Sequence, residues 1–108
     1  MADPEIFSMV TPWPHAGELL REDYLPQFGL TAHGLAKRMG LRDRTRVERI
    51  IREAQAITAD TALRLARVFG TSPQLWMNMQ SSHDLSKMAI AMRQELQAIE
   101  LAPAPGDR

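Results

Sequence analysis

Cysteine is absent from the 108 residues, which excludes a disulfide framework, a thiolate metal centre and a thiol nucleophile. Charge of neither sign is in excess. Thirteen Lys and Arg balance 13 Asp and Glu, so no global field draws nucleic acid or an anionic membrane to the chain. Any polyanion must therefore meet a local patch. No apolar run approaches the roughly 20 residues of a membrane span, and the opening MADPEIFS lacks the basic start and apolar stretch of a secretory signal. A cytoplasmic protein without a membrane partner is the expectation. Aromatic residues are few, two Trp, one Tyr and three Phe, so a core must come mainly from Leu, Ile, Ala and Met. These recur at helical spacing and predict one all-helical domain.

Pro4, Pro12 and Pro14 remove backbone donors and fix extended geometry, so residues 1–14 are read as an extended arm. The domain proper is expected over 15–101, with a disordered tail at 102–108 that carries Pro103, Pro105 and Gly106. A first helix opens near His15, with Leu19, Leu20, Tyr24 and Leu25 on one face, and Pro26 and Gly29 are expected to stop it. Thr31 is the predicted cap of a short second helix that Gly40 closes, and Asp43 the cap of a third with Val47, Ile50, Ile51 and Ala54 inside. Thr58 caps a fourth helix whose apolar positions are Leu63, Leu65, Ala66 and Phe69. Ser72 and Pro73 open a fifth and long one, which Ser81 to Asp84 either continue or break.

Enzyme chemistry finds little support. His15, His33 and His83 are far apart and none has a two-histidine helical spacing, so no metal site is expected. His15 reads as part of a helix start, and His33 and His83 as solvated or partner-facing. There is no phosphate-binding glycine loop, nucleophile elbow or inward carboxylate pair, so neither catalytic residues nor a cofactor are expected.

The informative stretch is 37–52, which holds Lys37, Arg38, Arg42, Arg44, Arg46, Arg49 and Arg52 against only Asp43 and Glu48. At about 100° per residue, a buried face centred on Val47, Ile50 and Ile51 leaves Thr45, Arg49 and Arg52 opposite it, with Arg46 and Glu48 on the flanks. A basic helix face is often only solvated. Here, however, it follows a short helix and a tight glycine turn, as a helix-turn-helix requires when one helix braces and the next enters the major groove. Thr45, Arg46 and Arg49 are the candidates for base edges, and Lys37, Arg44 and Arg52 for phosphate. Glu48 either accepts from a cytosine amino group or pairs with Arg44 or Arg52, four residues away.

The last helix carries a second stripe, Leu85, Met88, Met92 and Leu96, beyond the core that the preceding helices complete. A homodimer covers such a stripe and also suits DNA reading, since a two-fold axis doubles the phosphate contacts.

Three segments carry a resemblance. PHAGELLREDYL at 14–25 resembles the P-H-P-G-E-x-L-R-E-x-[FY]-L opening of the HigA antitoxin family; ITADTALRLAR at 57–67 and FGTSPQLWMNMQ at 69–80 resemble its central and following motifs. The resemblance implies a five-helix, lambda-repressor-like helix-turn-helix fold. It also implies two partners: a HigB-type toxin, a RelE-like mRNA endonuclease to be neutralised, and the double-stranded DNA of the protein's own operator, to be repressed as a dimer. A stand-alone regulator, or an antitoxin that sequesters a protein without reading DNA, are the alternatives. Thr31, Leu35, Ala36, Gly40 and Leu41 match the first half of the family's helix-turn-helix. Ala32 replaces a phosphate-contacting Gln, Ala16 a usual Pro, and Arg52-Glu53-Ala54-Gln55-Ala56 the usual Asn-Gly turn, so the reading helix is expected to run further than in relatives.

Overall fold

The computed structural model describes residues 5–106; the ends of the expected arm and tail, 1–4 and 107–108, lie outside them. Among the described residues every regular element is a helix.

Residues 16–28 form one continuous helix, α1, in which α-helical Ala16–Leu19 and Leu25–Phe28 flank a π-helical stretch, Leu20–Tyr24. His15 caps it, its Nδ1 accepting from the Gly17 N–H at 2.8 Å. Pro26 does not stop this helix. The wide turn ahead of it, where the Leu25 N–H bonds the Leu20 carbonyl, loosens the ladder that the proline ring would otherwise obstruct. Gly29 ends the helix instead: at φ 63° it turns the chain so that the Leu30 N–H meets the Leu25 carbonyl at 2.9 Å.

Helix α2 is Ala32–Arg38, with Thr31 Oγ1 accepting from the Gly34 N–H at 3.0 Å. Gly40, at φ 76°, closes it by delivering the Leu41 N–H to the Ala36 carbonyl. Helix α3 is Thr45–Ile51, α4 is Ala59–Phe69 and α5 is Pro73–Ala91. Thr58 and Ser72 cap the last two through the N–H groups of Thr61 and Leu75. Ser81 to Asp84 leave α5 unbroken; the interruption falls at Met92, after which Arg93–Gln97 forms a short α6. Five helices thus make the expected helix-turn-helix domain, and the sixth is the end of its long last helix.

The core is a single cluster. Leu20, Leu35, Val47, Leu65 and Trp76 are wholly buried within it, and the Trp76 indole N–H finds Thr71 Oγ1 at 2.8 Å. Leu63 turns outward, as does Ala54, which lies beyond the end of α3. Residues 102–106 carry no helix.

The arm runs antiparallel along α5 and α6 after a single 3-10 turn at Ile6–Ser8. Ser86 Oγ accepts from the Trp13 N–H at 2.8 Å, the His83 ring donates to the Trp13 carbonyl at 2.7 Å, and Arg93 donates to the Met9 carbonyl. His83 therefore binds the arm, and its ring meets His15 edge-on at 5.0 Å; the expectation of a merely solvated or partner-facing histidine is corrected.

Candidate nucleic-acid interface

Helix α3 is only seven residues long, too short to persist without tertiary support. Val47 and Ile50 anchor it in the core, at 0% and 1% exposure. The opposite side presents Thr45, Arg49 and Arg52 to solvent, as the helical projection requires. At its start, Arg44 occupies the cap position and Asp43 does the capping from one residue upstream: its Oδ1 accepts from the Thr45 N–H at 2.9 Å. That hydrogen bond is the main reason the Asp43 carboxyl is held below the ordinary carboxylate range, with the charges of Arg42 and Arg49 acting in the same direction.

The expected longer reading helix is not found. Ile51 is its last residue, and Glu53 adopts the left-handed conformation, φ 61°, where an Asn-Gly turn would place glycine. The Glu53 N–H then bonds the Ile50 carbonyl at 2.9 Å and the Ala54 N–H the Arg49 carbonyl at 2.8 Å. This is the glycine-type helix stop made by a glutamate.

The cationic residues separate into two groups. Lys37, Arg49 and Arg52 are exposed and form no ion pair with a described residue; Lys37, with His33 and Arg42, lines a hollow beside the turn between α2 and α3. Arg44 is exposed too, with its Nε 3.3 Å from Glu48, which settles the pairing of that carboxylate within the free protein. Arg46 belongs to the second group. Its guanidinium lies against Asp60 and within 3.5 Å of Thr61 Oγ1, at the first turn of α4. Asp60 also receives Arg64 Nε at 2.8 Å, while Arg64 Nη1 donates to the Met39 carbonyl at the end of α2, at 2.7 Å. Arg64, Asp60 and Gln80, whose Oε1 accepts from the Ile57 N–H at 2.9 Å, thus fix the two helices and the segment after them. Sequence reasoning missed these supports because Asp60 and Arg64 look like ordinary wet-face charges and nothing in the spacing sets Gln80 apart. Of the second stripe, Leu85 and Met88 are 59% and 57% exposed, whereas Met92 and Leu96 are half-buried, Leu96 beside Phe7 of the arm.

Among the described residues, no group of three or more His, Asp or Glu is placed to hold a metal, and no helix is long and apolar enough to cross a membrane. A buttressed short helix with an exposed cationic face, following a helix and a tight glycine turn, defines a helix-turn-helix protein. The helix-turn-helix family matches residues 20–76.

The particular branch follows from individual relatives. The chain is 50% identical over 88 residues to virulence-associated protein I of Dichelobacter nodosus, covering 82% of this chain and 80% of the relative. Its fold is that of antitoxin HigA of Pseudomonas aeruginosa, solved with the higBA promoter, at a TM-score of 0.76 and 36% identity over 85% of this chain and 98% of that one. Antitoxin GraA in complex with its operator gives a TM-score of 0.79 at 32% identity, over 88% and 95% of the two chains. The chain belongs to the HigA family of helix-turn-helix antitoxins.

Proposed function

We propose that this antitoxin represses its own operon as a dimer by placing α3 in the major groove, and neutralises a HigB-type, RelE-like mRNA endonuclease. The observation that carries the DNA reading is the exposure of Thr45, Arg49 and Arg52 on the side of α3 opposite Val47 and Ile50. Thr45 and Arg49 read base edges; Lys37, Arg44 and Arg52 hold phosphate, where charge positions without specifying. Arg46 is assigned to bracing α3 against α4, since its guanidinium is already engaged by Asp60. Relatives solved with promoter or operator DNA support this reading.

Dimerisation through Leu85 and Met88, continued by Met92, would space two reading helices near one turn of DNA, roughly 34 Å. Leu96 contributes at the margin, where it already packs near Phe7. A toxin partner accords with antitoxins as a class, and growth rescue on co-expression with a HigB-type toxin tests it.

Fluorescence anisotropy on the protein's own upstream DNA and on a scrambled duplex, across a salt series, tests the DNA reading. Arg49→Ala is expected to cost about 1–3 kcal/mol on the operator and relax base preference, whereas Lys37→Ala weakens both duplexes alike and lowers the salt slope by about one. Equal, weak binding of the native protein to both duplexes would leave sequestration of a protein as the better account.

A further inference from the structure

The end of the reading helix is closed by a residue from another helix. The last four carbonyls of an α-helix have no partner within it. In α3 these belong to Glu48, Arg49, Ile50 and Ile51. Three are satisfied by the turn that follows: Glu48 by the Arg52 N–H, Ile50 by the Glu53 N–H and Arg49 by the Ala54 N–H. The fourth, Ile51, accepts from Arg21 Nη1, 30 residues earlier on α1.

Arg21 is held for this task. It lies in the π-helical stretch of α1, a helix distortion common at functional positions. Its Nε donates to Glu22 Oε1 at 3.0 Å, and its Nη1 approaches Glu53 Oε2 at 3.4 Å, the residue that takes the left-handed turn. One turn earlier, α1 touches the same end of α3: a Cβ on Gly17 would stand 1.8 Å from the Ile50 carbonyl oxygen.

We infer that Arg21 is a positioning residue for DNA reading: by closing the Ile51 carbonyl and the Glu53 turn, it fixes the pitch and end of α3 relative to the domain, and so the register in which Thr45 and Arg49 meet base edges. Arg21 touches no base itself. Without it, α3 keeps its charge and hydrophobic anchors but loses a fixed C-terminus, so sequence preference falls more than affinity for DNA in general. This inference rests on the DNA reading proposed above.

Two measurements on the full chain separate the inference from that reading. Amide hydrogen exchange without DNA is expected to quicken about tenfold at Glu53 and Ala54 in Arg21→Ala, with α4 and α5 amides unchanged, because a charge-assisted hydrogen bond is lost from one end of one helix. Anisotropy on operator and scrambled duplexes is expected to show a fall of about tenfold in their affinity ratio, with scrambled binding little changed. Arg21→Lys, which can still reach one carbonyl but not form the fork, is expected to lie between native and Ala on both readouts. Unchanged exchange at Glu53 and Ala54 overturns the clamp whatever the DNA shows. Quickened exchange with an unchanged ratio, or an equal loss on both duplexes, overturns its part in reading. A native protein with no operator preference removes the DNA reading and this role together. If Arg21→Ala does not fold, the Lys variant decides by the same two readouts, and native values in both overturn the inference.

Discussion

Arg46 Nη1 lies 2.5 Å from Asp60 Oδ1, which joins the first turn of α3 to the first turn of α4. Asp60 serves two arginines at once, since Arg64 Nε is 2.8 Å from the same oxygen and Arg64 in turn reaches the end of α2. One carboxylate therefore relates both halves of the helix-turn-helix to α4. These two hydrogen bonds, Arg64's first, hold the Asp60 carboxyl below its ordinary value of 3.8.

Asp60→Asn is expected to lower the melting temperature at neutral pH. Because the folded carboxyl ionises more readily than the unfolded one, its contribution is full above 3.8 and is lost as the pH falls through the lower folded value. The gap between native and variant melting temperatures should accordingly close under acid. A gap of constant size across that range would show that the carboxylate's charge is not what joins the helices.

Gly17→Ala tests the contact of α1 with α3. A Cβ there would overlap the backbone oxygen of Ile50, at 1.8 Å, with His15 Nδ1 3.0 Å away. Backbone cannot rotate aside as a side chain can, so the helices must separate. A loss of about 2–3 kcal/mol in urea unfolding is expected. A variant as stable as the native protein would show that α1 slides freely on α3.

How much of this was legible in the sequence depends on whether a residue's role is local. Thr31, Thr58 and Ser72 cap helices a few residues away, and Gly29 and Gly40 stop them, so composition and spacing sufficed. Val47 and Ile50 follow from periodicity, and so does the exposed side carrying Thr45 and Arg49. Arg46 and Arg49 are alike as letters three apart on a basic helix. What separates the engaged guanidinium from the exposed one is Asp60, 14 residues downstream of Arg46, and no period links the two. Arg21 and Ile51 are 30 residues apart, and the acceptor is a backbone oxygen that no side-chain pattern reveals. Pro26 misled because the π turn ahead of it, in which the Leu25 N–H reaches the Leu20 carbonyl, leaves no mark in the apolar spacing.

Glu53→Gly probes the end of α3 from the other side. A left-handed residue with a Cβ costs roughly 1–2 kcal/mol that glycine avoids, against which stands only a solvent-screened ion pair with Arg21. The variant is expected to be as stable as the native protein or more so, by up to about 1 kcal/mol in urea unfolding. A clear loss of stability would mean that the Glu53 carboxylate, facing both Arg21 and His15, outweighs the backbone cost.

His15 makes the fold sensitive to pH where the arm, α1 and α5 meet. Its Nδ1 must stay unprotonated to accept the Gly17 N–H. Burial is the main cause that lowers its pKa below 6.5, and the His83 ring 5.0 Å away and the Lys87 charge add to it; Glu53 and Asp84 act in the opposite direction without reversing the balance. As pH falls below 6.5 the unfolded chain takes up a proton that the folded chain still refuses, so this part of the stability is complete above 6.5 and declines toward the lower folded value. His15→Asn keeps an oxygen able to cap the helix and does not titrate. Its melting temperature should therefore change less than the native protein's between about pH 8 and pH 5. Parallel pH profiles would place the sensitivity elsewhere, with His83 and its bond to the Trp13 carbonyl the next residue to vary.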